Sequence, residues 1–98
     1  MASLSFTWDP VKAKANERKH GVSFVEAETV FVDEDARLLT DPEHSADDDR
    51  FLLLGLSSRF RVLVVVHAYR ETEGLIRIIS ARKATPRERA QYEQGERR

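Results

Sequence analysis

The period of the apolar positions changes along the chain, and the changes mark the elements. Phe6-Thr7-Trp8 is a short β-prone opening. Asp9-Pro10 follows as N-cap and first helical residue, and a helix is expected from Val11 through Lys19. Gly21 stops it, and Lys19 and His20 favourably fill its last turn. Ser23-x-x-Glu26 forms a capping box for a second helix, with Val22 stapled onto Ala27. Phe24, Ala27, Val30 and Phe31 recur at helical spacing and should face the core.

Beyond Asp33-Glu34-Asp35 the pattern turns to strands. One is expected near Ala36–Thr40, ended by Asp41-Pro42, and another over Arg50–Leu56 after an acidic loop at Glu43–Asp49. Ser57-Ser58-Arg59 reads as a turn. Arg61–Tyr69 is the strongest strand, and its continuous Leu63-Val64-Val65-Val66 predicts a central position. A hairpin loop at Glu71–Gly74 leads into Leu75–Ala84, a strand that ends in a cationic cluster. Thr85-Pro86-Arg87-Glu88 is a second capping box, opening a helix that should run to about Gln94 and stop at Gly95. The order β-α-α-β-β-β-β-α, with hairpin-length links among the last strands, predicts an α+β domain spanning 1–98: an antiparallel sheet, two N-terminal helices and one C-terminal helix.

Strand parity then sorts side chains by face. Val62, Val64, Val66 and Ala68 form the expected core face of the central strand, while Arg61, His67 and Tyr69 lie on the other face or at the core margin. On the next strand Ser80 and Arg82 share one face and Arg77 takes the other. A four-residue loop would put His67 beside Ile78 and on the face of Ser80 and Arg82; a one-residue slip would put it beside Arg77. Either way, one of Arg77 and Arg82 is expected to share a face with His67 and Tyr69.

Composition changes the picture less than charge distribution does. The 98 residues carry a net charge of −1 and no Cys, which excludes disulfides, thiolate metal sites and Cys nucleophiles. No apolar run approaches the roughly 20 residues of a membrane-spanning helix. The first ten residues lack signal-peptide regions, so a cytoplasmic protein is expected. Residues 26–50 hold ten Asp or Glu against Arg37 and Arg50, whereas 75–98 hold seven Arg or Lys against Glu88, Glu93 and Glu96. This permits a basic functional face beside an acidic one, unless folding mixes the two.

A His, a Tyr and several cations suit cleavage of an RNA backbone. There the 2′-hydroxyl attacks the adjacent phosphate, a base removes its proton, cations stabilise the growing charge and an acid protonates the leaving oxygen. The candidates are His67, Arg77, Arg82, His20 and Tyr69 for catalysis, with Lys19, Arg61, Ser80, Lys83, Arg87 and Tyr92 for RNA contact. Each also has a plainer role. His67 can simply pack, Lys19 and His20 can serve the helix end, and Glu88 can serve the capping box. Tyr92 can pack, and Arg87, Arg89, Arg97 and Arg98 can be a solvated helix face. His44 lies in the acidic loop. The three scattered His lack metal-ligand spacing, so neither metal nor cofactor is expected.

Several motifs resemble one family. Phe6-Thr7-Trp8-Asp9, Lys12-Ala13 with Asn16, and Lys19-His20-Gly21-Val22-Ser23-Phe24 with Glu26-Ala27 are similar to the opening of the BrnT toxins. Arg77-Ile78-Ile79-Ser80-Ala81-Arg82-Lys83-Ala84, then Glu88 and Tyr92, resemble its close, and His44, Arg50 and Gly55 fit its middle. The resemblance implies a RelE-like fold and a ribonuclease toxin of a type II toxin–antitoxin pair that inhibits translation. It also implies neutralisation by a ribbon-helix-helix antitoxin, BrnA, in a heterotetramer that reaches promoter DNA through the antitoxin. It supports Lys19, His20, Arg77, Ser80, Arg82 and Tyr92 as site positions, whereas His67 and Tyr69 rest on parity. The competing expectations are a non-cleaving inhibitory module, for example one directed at gyrase, and an inactive antitoxin-binding partner. The antitoxin is expected to bring carboxylates to the cationic surface.

Overall fold

The computed structural model describes residues 4–40, 50–70 and 74–96. The acidic loop with His44, the hairpin residues 71–73, and Arg97 and Arg98 lie outside the described residues. The elements are β1 (Ser5–Thr7), α1 (Pro10–His20), α2 (Phe24–Thr29) with a 3-10 turn at Val30–Val32, β2 (Arg37–Thr40), β3 (Arg50–Leu56), β4 (Val62–Arg70), β5 (Leu75–Lys83) and α3 (Pro86–Glu96). The expected α+β order is observed. The five strands form one sheet in the order β1-β5-β4-β3-β2. All pairs are antiparallel except β1 with β5, which is parallel at the edge. Among the described residues no helix is long and apolar enough to cross a membrane.

The helix ends obey local chemistry. Asp9 accepts from the Val11 N–H at 2.9 Å, and Gly21 closes α1 at φ 69°, where a Cβ would be strained. Ser23 accepts from the Glu26 N–H at 3.0 Å, but the capping box is not reciprocal. The Glu26 carboxylate turns instead to Ser57 and Arg61. Thr85 and Glu88 do close their box, with bonds of 2.9 and 3.2 Å. Gly95 does not stop α3, which continues to Glu96.

Both faces of the sheet are covered, unequally. On the inner face Val22, Phe24, Ala27 and Val30 pack against Leu53, Leu63, Val65, Ile76, Ile78 and Ala81. A Cβ on Gly55 would lie 2.8 Å from Val30 Cγ1, so glycine lets this layer close on β3. On the outer face α3 lays Tyr92 over Leu54 and Val64. The main core of β4 is therefore Leu63 and Val65, the reverse of the expected parity. Since β4 alternates apolar residues on both faces, its pattern did not identify the larger layer.

Asn16 pins α1 to the sheet. Its amide nitrogen donates to the carbonyls of Val22 (3.0 Å) and Ala81 (2.8 Å), and its oxygen accepts from the Ala81 N–H at 3.1 Å. β1 pairs with β5 only at Leu75–Arg77, so this buried side chain serves the β5 backbone beyond the end of β1.

Candidate nucleic-acid interface

A β-bulge decides which cations can act together. Val66 pairs with Ser80, but the next residue, His67, pairs with Ile78, and the register passes over Ile79. One extra residue on β5 inverts the facing of everything before it relative to everything after it. Arg77, which alternation alone would set opposite Ser80 and Arg82, is brought to their face. That face is the outer one: Arg82 pairs with Val64, Ser80 with Val66 and Arg77 with Ala68. His67 and Tyr69 pair with Ile78 and Ile76 on the inner face. The expectation that one of the two arginines shares a face with His67 and Tyr69 is thus corrected. Both arginines lie on the opposite face.

His67 is only 4% exposed. Its ring stands edge-on to Phe31 at 4.9 Å and near Phe51 at 6.2 Å, and its Nδ1 lies 3.2 Å from the Val65 carbonyl oxygen. Burial pushes its pKa below the ordinary histidine value, so the folded protein holds it neutral. It does not reach the surface where the arginines could hold a phosphate. Tyr69 is exposed at the margin of the inner face.

Two other candidate cations are committed to carboxylates. Arg61 Nε donates to Glu26 Oε2 at 3.0 Å, its Nη2 donates to Glu26 Oε1, and the same Nη2 reaches the Gly21 carbonyl at 3.1 Å. Glu26 is buried, and the Arg61 bonds hold its carboxyl below the usual range against the opposing effect of burial. Arg82 makes a bidentate bond to Glu88 at 2.7 and 3.0 Å. Arg82 is also the main reason the Glu88 pKa falls to about 2. Tyr92 is 3% exposed, and its hydroxyl donates to Asp33 Oδ2 at 2.7 Å. Burial alone would raise the Asp33 carboxyl; bonds from the Leu56 N–H, Tyr92 and the Asp35 N–H together lower it. Arg61, Arg82 and Tyr92, expected to meet RNA, are in this structure joints between elements.

The remaining candidates fall into two places. Lys19 is exposed and His20 half-buried at the end of α1. The Arg61 bond to Gly21 and the pairing of Leu63 with Lys83 bring that helix end to the same sheet end as exposed Lys83. Arg87 is exposed on the first turn of α3. The second place is the half of the outer face beside the α3-covered half. There the register runs Arg50–Ala68–Arg77–Thr7 across four strands, flanked by the row Leu39–Leu52–Val66–Ser80 and by Arg70 with Leu75. Arg50 and Arg77 stand two strands apart, about 10 Å. Arg77 is exposed and makes no ion pair among the described residues. Sequence reasoning did not select Arg50, Arg70 or Thr7, because their grouping depends on register across several strands. Among the described residues, no three His, Asp or Glu side chains gather as metal ligands would.

A family model described as "Ribonuclease toxin, BrnT, of type II toxin-antitoxin system" matches residues 8–88. No curated protein matches the chain. Among solved structures, the crystal structure of the Brucella abortus ribonuclease toxin BrnT superimposes with a TM-score of 0.66 at 22% sequence identity. The match covers 85% of this chain and 99% of that one, and at this identity it speaks to the fold.

Proposed function

The chain belongs to the BrnT family of ribonuclease toxins of type II toxin–antitoxin systems, and on that premise we propose that it cleaves RNA across the open half of its outer sheet face, with Arg77 as the main phosphate grip. The observation that carries this reading is the bulge at Ile79, which brings Arg77 onto the face of Ser80 and into one row with Arg50. RNA carries its own nucleophile, so the protein need not supply one. The 2′-hydroxyl gives its proton to water and its oxygen bonds to phosphorus as the bond to the 5′-oxygen breaks; the 5′-oxygen takes a proton from water, leaving a 2′,3′-cyclic phosphate and a 5′-hydroxyl. A planar guanidinium can donate two parallel hydrogen bonds to the phosphate oxygens as their charge grows. In this reading Ser80, one row away, positions an oxygen, and Arg70 holds a neighbouring phosphate. Lys19, His20, Lys83 and Arg87 then serve the strand farther along.

Cleavage in the cytoplasm would inhibit translation. The family implies an antitoxin, and we take it to be a ribbon-helix-helix protein of the BrnA kind. It would form a heterotetramer with the toxin and carry the pair to promoter DNA. The test is purified protein incubated with messenger RNA, alone and with ribosomes. Fragments ending in cyclic phosphate are expected from the wild type and should form far more slowly with Arg77→Ala. The burial of His67 favours a second reading, a non-cleaving inhibitor of the same fold. Full-length RNA under both conditions, alongside growth arrest, would establish that reading.

A further inference from the structure

Three of the most exposed apolar side chains lie on α2, its 3-10 extension and the turn bonded to them, away from the arginine row. Val25 is 64% exposed, Val32 82% and Phe60 83%. Val25, Thr29 and Val32 follow one another at i, i+4 and i+7, so α2 and its 3-10 extension present them together. Phe60 belongs to the β3–β4 turn, which is held against α2: the Ser58 N–H donates to Thr29 Oγ1 at 2.9 Å and Ser57 Oγ donates to Glu26 at 2.7 Å. Beside Val32 lies a depression of about 230 Å³, lined by Thr29, Val32, Asp33, Leu56, Ser57 and Ser58. Single exposed apolar residues need no explanation; a cluster around a concavity marks an interaction surface.

The turn presents Phe60 rigidly. Its φ is 61°, a left-handed conformation that disfavours any side chain and is rare for a bulky one. The Phe60 N–H donates to the Ser57 carbonyl at 2.9 Å, and Ser57 Oγ accepts from the Arg59 and Arg61 N–H groups at 3.2 and 3.4 Å. Ser57 is in turn anchored by Glu26, the partner of Arg61. A buried polar network therefore supports an aromatic ring that packs into neither core cluster. Such a preorganised, solvent-facing aromatic is suited to filling a partner's pocket.

The charges beside the patch choose the partner. Glu28, Glu34 and Asp35 lie on the same segment as Val25 and Val32, and Asp33 lines the depression. Arg59 is the nearby cation, 4.0 Å from Glu26. The acidic excess repels phosphate and attracts Lys or Arg, which favours a protein over RNA. We propose that the patch of Val25, Val32 and Phe60 is the docking site for an amphipathic helix of the antitoxin, one with an apolar face and a Lys- or Arg-rich flank. The proposal rests on the reading of the chain as a toxin held by an antitoxin. It places that contact on the α2 side, apart from the Arg77 face.

The test measures binding of the purified antitoxin of the same pair to the wild type and to Phe60→Gly, Val32→Asp and Arg77→Ala. Phe60→Gly relieves the left-handed strain, so its fold should be kept, and melting curves check this. Phe60→Gly and Val32→Asp should each weaken antitoxin binding by about 30-fold or more, as loss of an interface anchor does. Arg77→Ala should bind as the wild type does. RNA cleavage by Phe60→Gly in the absence of antitoxin should be unchanged. Wild-type affinity in both patch variants overturns the proposal. Lost RNA cleavage at unchanged antitoxin affinity would assign the patch to substrate, and self-association of the wild type that the patch variants lose at unchanged affinity would assign it to a second copy; either result overturns it. A wild type that binds antitoxin but leaves RNA intact sinks the ribonuclease reading alone.

Discussion

The two halves of the outer sheet face come from the same strands and differ in what their arginines meet. In the covered half, Leu54 and Val64 pack under Tyr92 of α3, Arg82 is spent on Glu88 and Arg37 on the Gln91 carbonyl at 2.8 Å. In the other half Arg50, Arg70 and Arg77 rise from a floor of Leu39, Leu52, Val66 and Ala68. Both halves contain arginines above aliphatic residues. What separates them is that α3 brings Glu88 to Arg82, whereas Arg77 makes no ion pair among the described residues. An arginine near a candidate site is thus informative only once its own partner is known.

The largest expected effect comes from breaking the covered half. Tyr92→Ala removes a buried ring and leaves Asp33 without the hydroxyl it accepts from, which should cost about 3–5 kcal/mol of folding stability. Urea denaturation would measure it, and a loss under about 1 kcal/mol would show that α3 is not the cover described here. Arg77→Ala, in the open half, should change stability by no more than about 0.5 kcal/mol, as for most surface substitutions. Its expected effect is on substrate: about 100-fold slower RNA cleavage, the scale of losing one preorganised donor to a developing oxyanion. Full activity in a folded Arg77→Ala protein would remove the open half from the mechanism.

The contrast was only partly legible in the sequence. Helix caps at Asp9, Gly21, Ser23 and Thr85 are local signals, and all four appear where their chemistry places them. The order of elements along the chain follows from apolar runs and short links; the parallel pairing of β1 with β5 does not. Facing did not follow, for two physical reasons. β4 is apolar at both parities, so alternation could not say which side carries the larger layer. The bulge at Ile79 lies within Ile78-Ile79-Ser80, a stretch without the glycine that often marks such a site. Parity counted across it put Arg77 opposite Arg82 and let His67 share a face with one of them. The partners of Tyr92 and Arg61 are hidden for a related reason: Asp33 and Glu26 are distant in sequence, and the capping-box pattern at Glu26 does not announce its bond to Arg61.

His67 gives a pH test of the same division. Burial lowers its folded pKa, so the unfolded chain binds this proton more readily than the native state. Its contribution is therefore fully present above the unfolded value of about 6.5 and is lost as pH falls below it. Melting temperature should decline between pH 7 and 5 in the wild type and less in His67→Phe. An equal decline in both proteins would mean that the ring is already open to protons, and hence not part of the inner core.

The smallest effect separates the two arginines of β5. Glu88→Gln at neutral pH should cost about 1 kcal/mol, the upper range for a partly exposed ion pair. Because the Glu88 pKa is lowered to about 2, the pair's contribution is present above the ordinary carboxylate range and is lost as pH falls toward 2. Wild type and Glu88→Gln should therefore converge in stability in acid. Arg82→Gln should show a similar small loss of stability while keeping RNA cleavage. If Arg82→Gln abolished cleavage at unchanged stability, the Glu88 pairing would be a resting arrangement that opens for substrate. The site would then extend under the first turn of α3, across the boundary between the two halves.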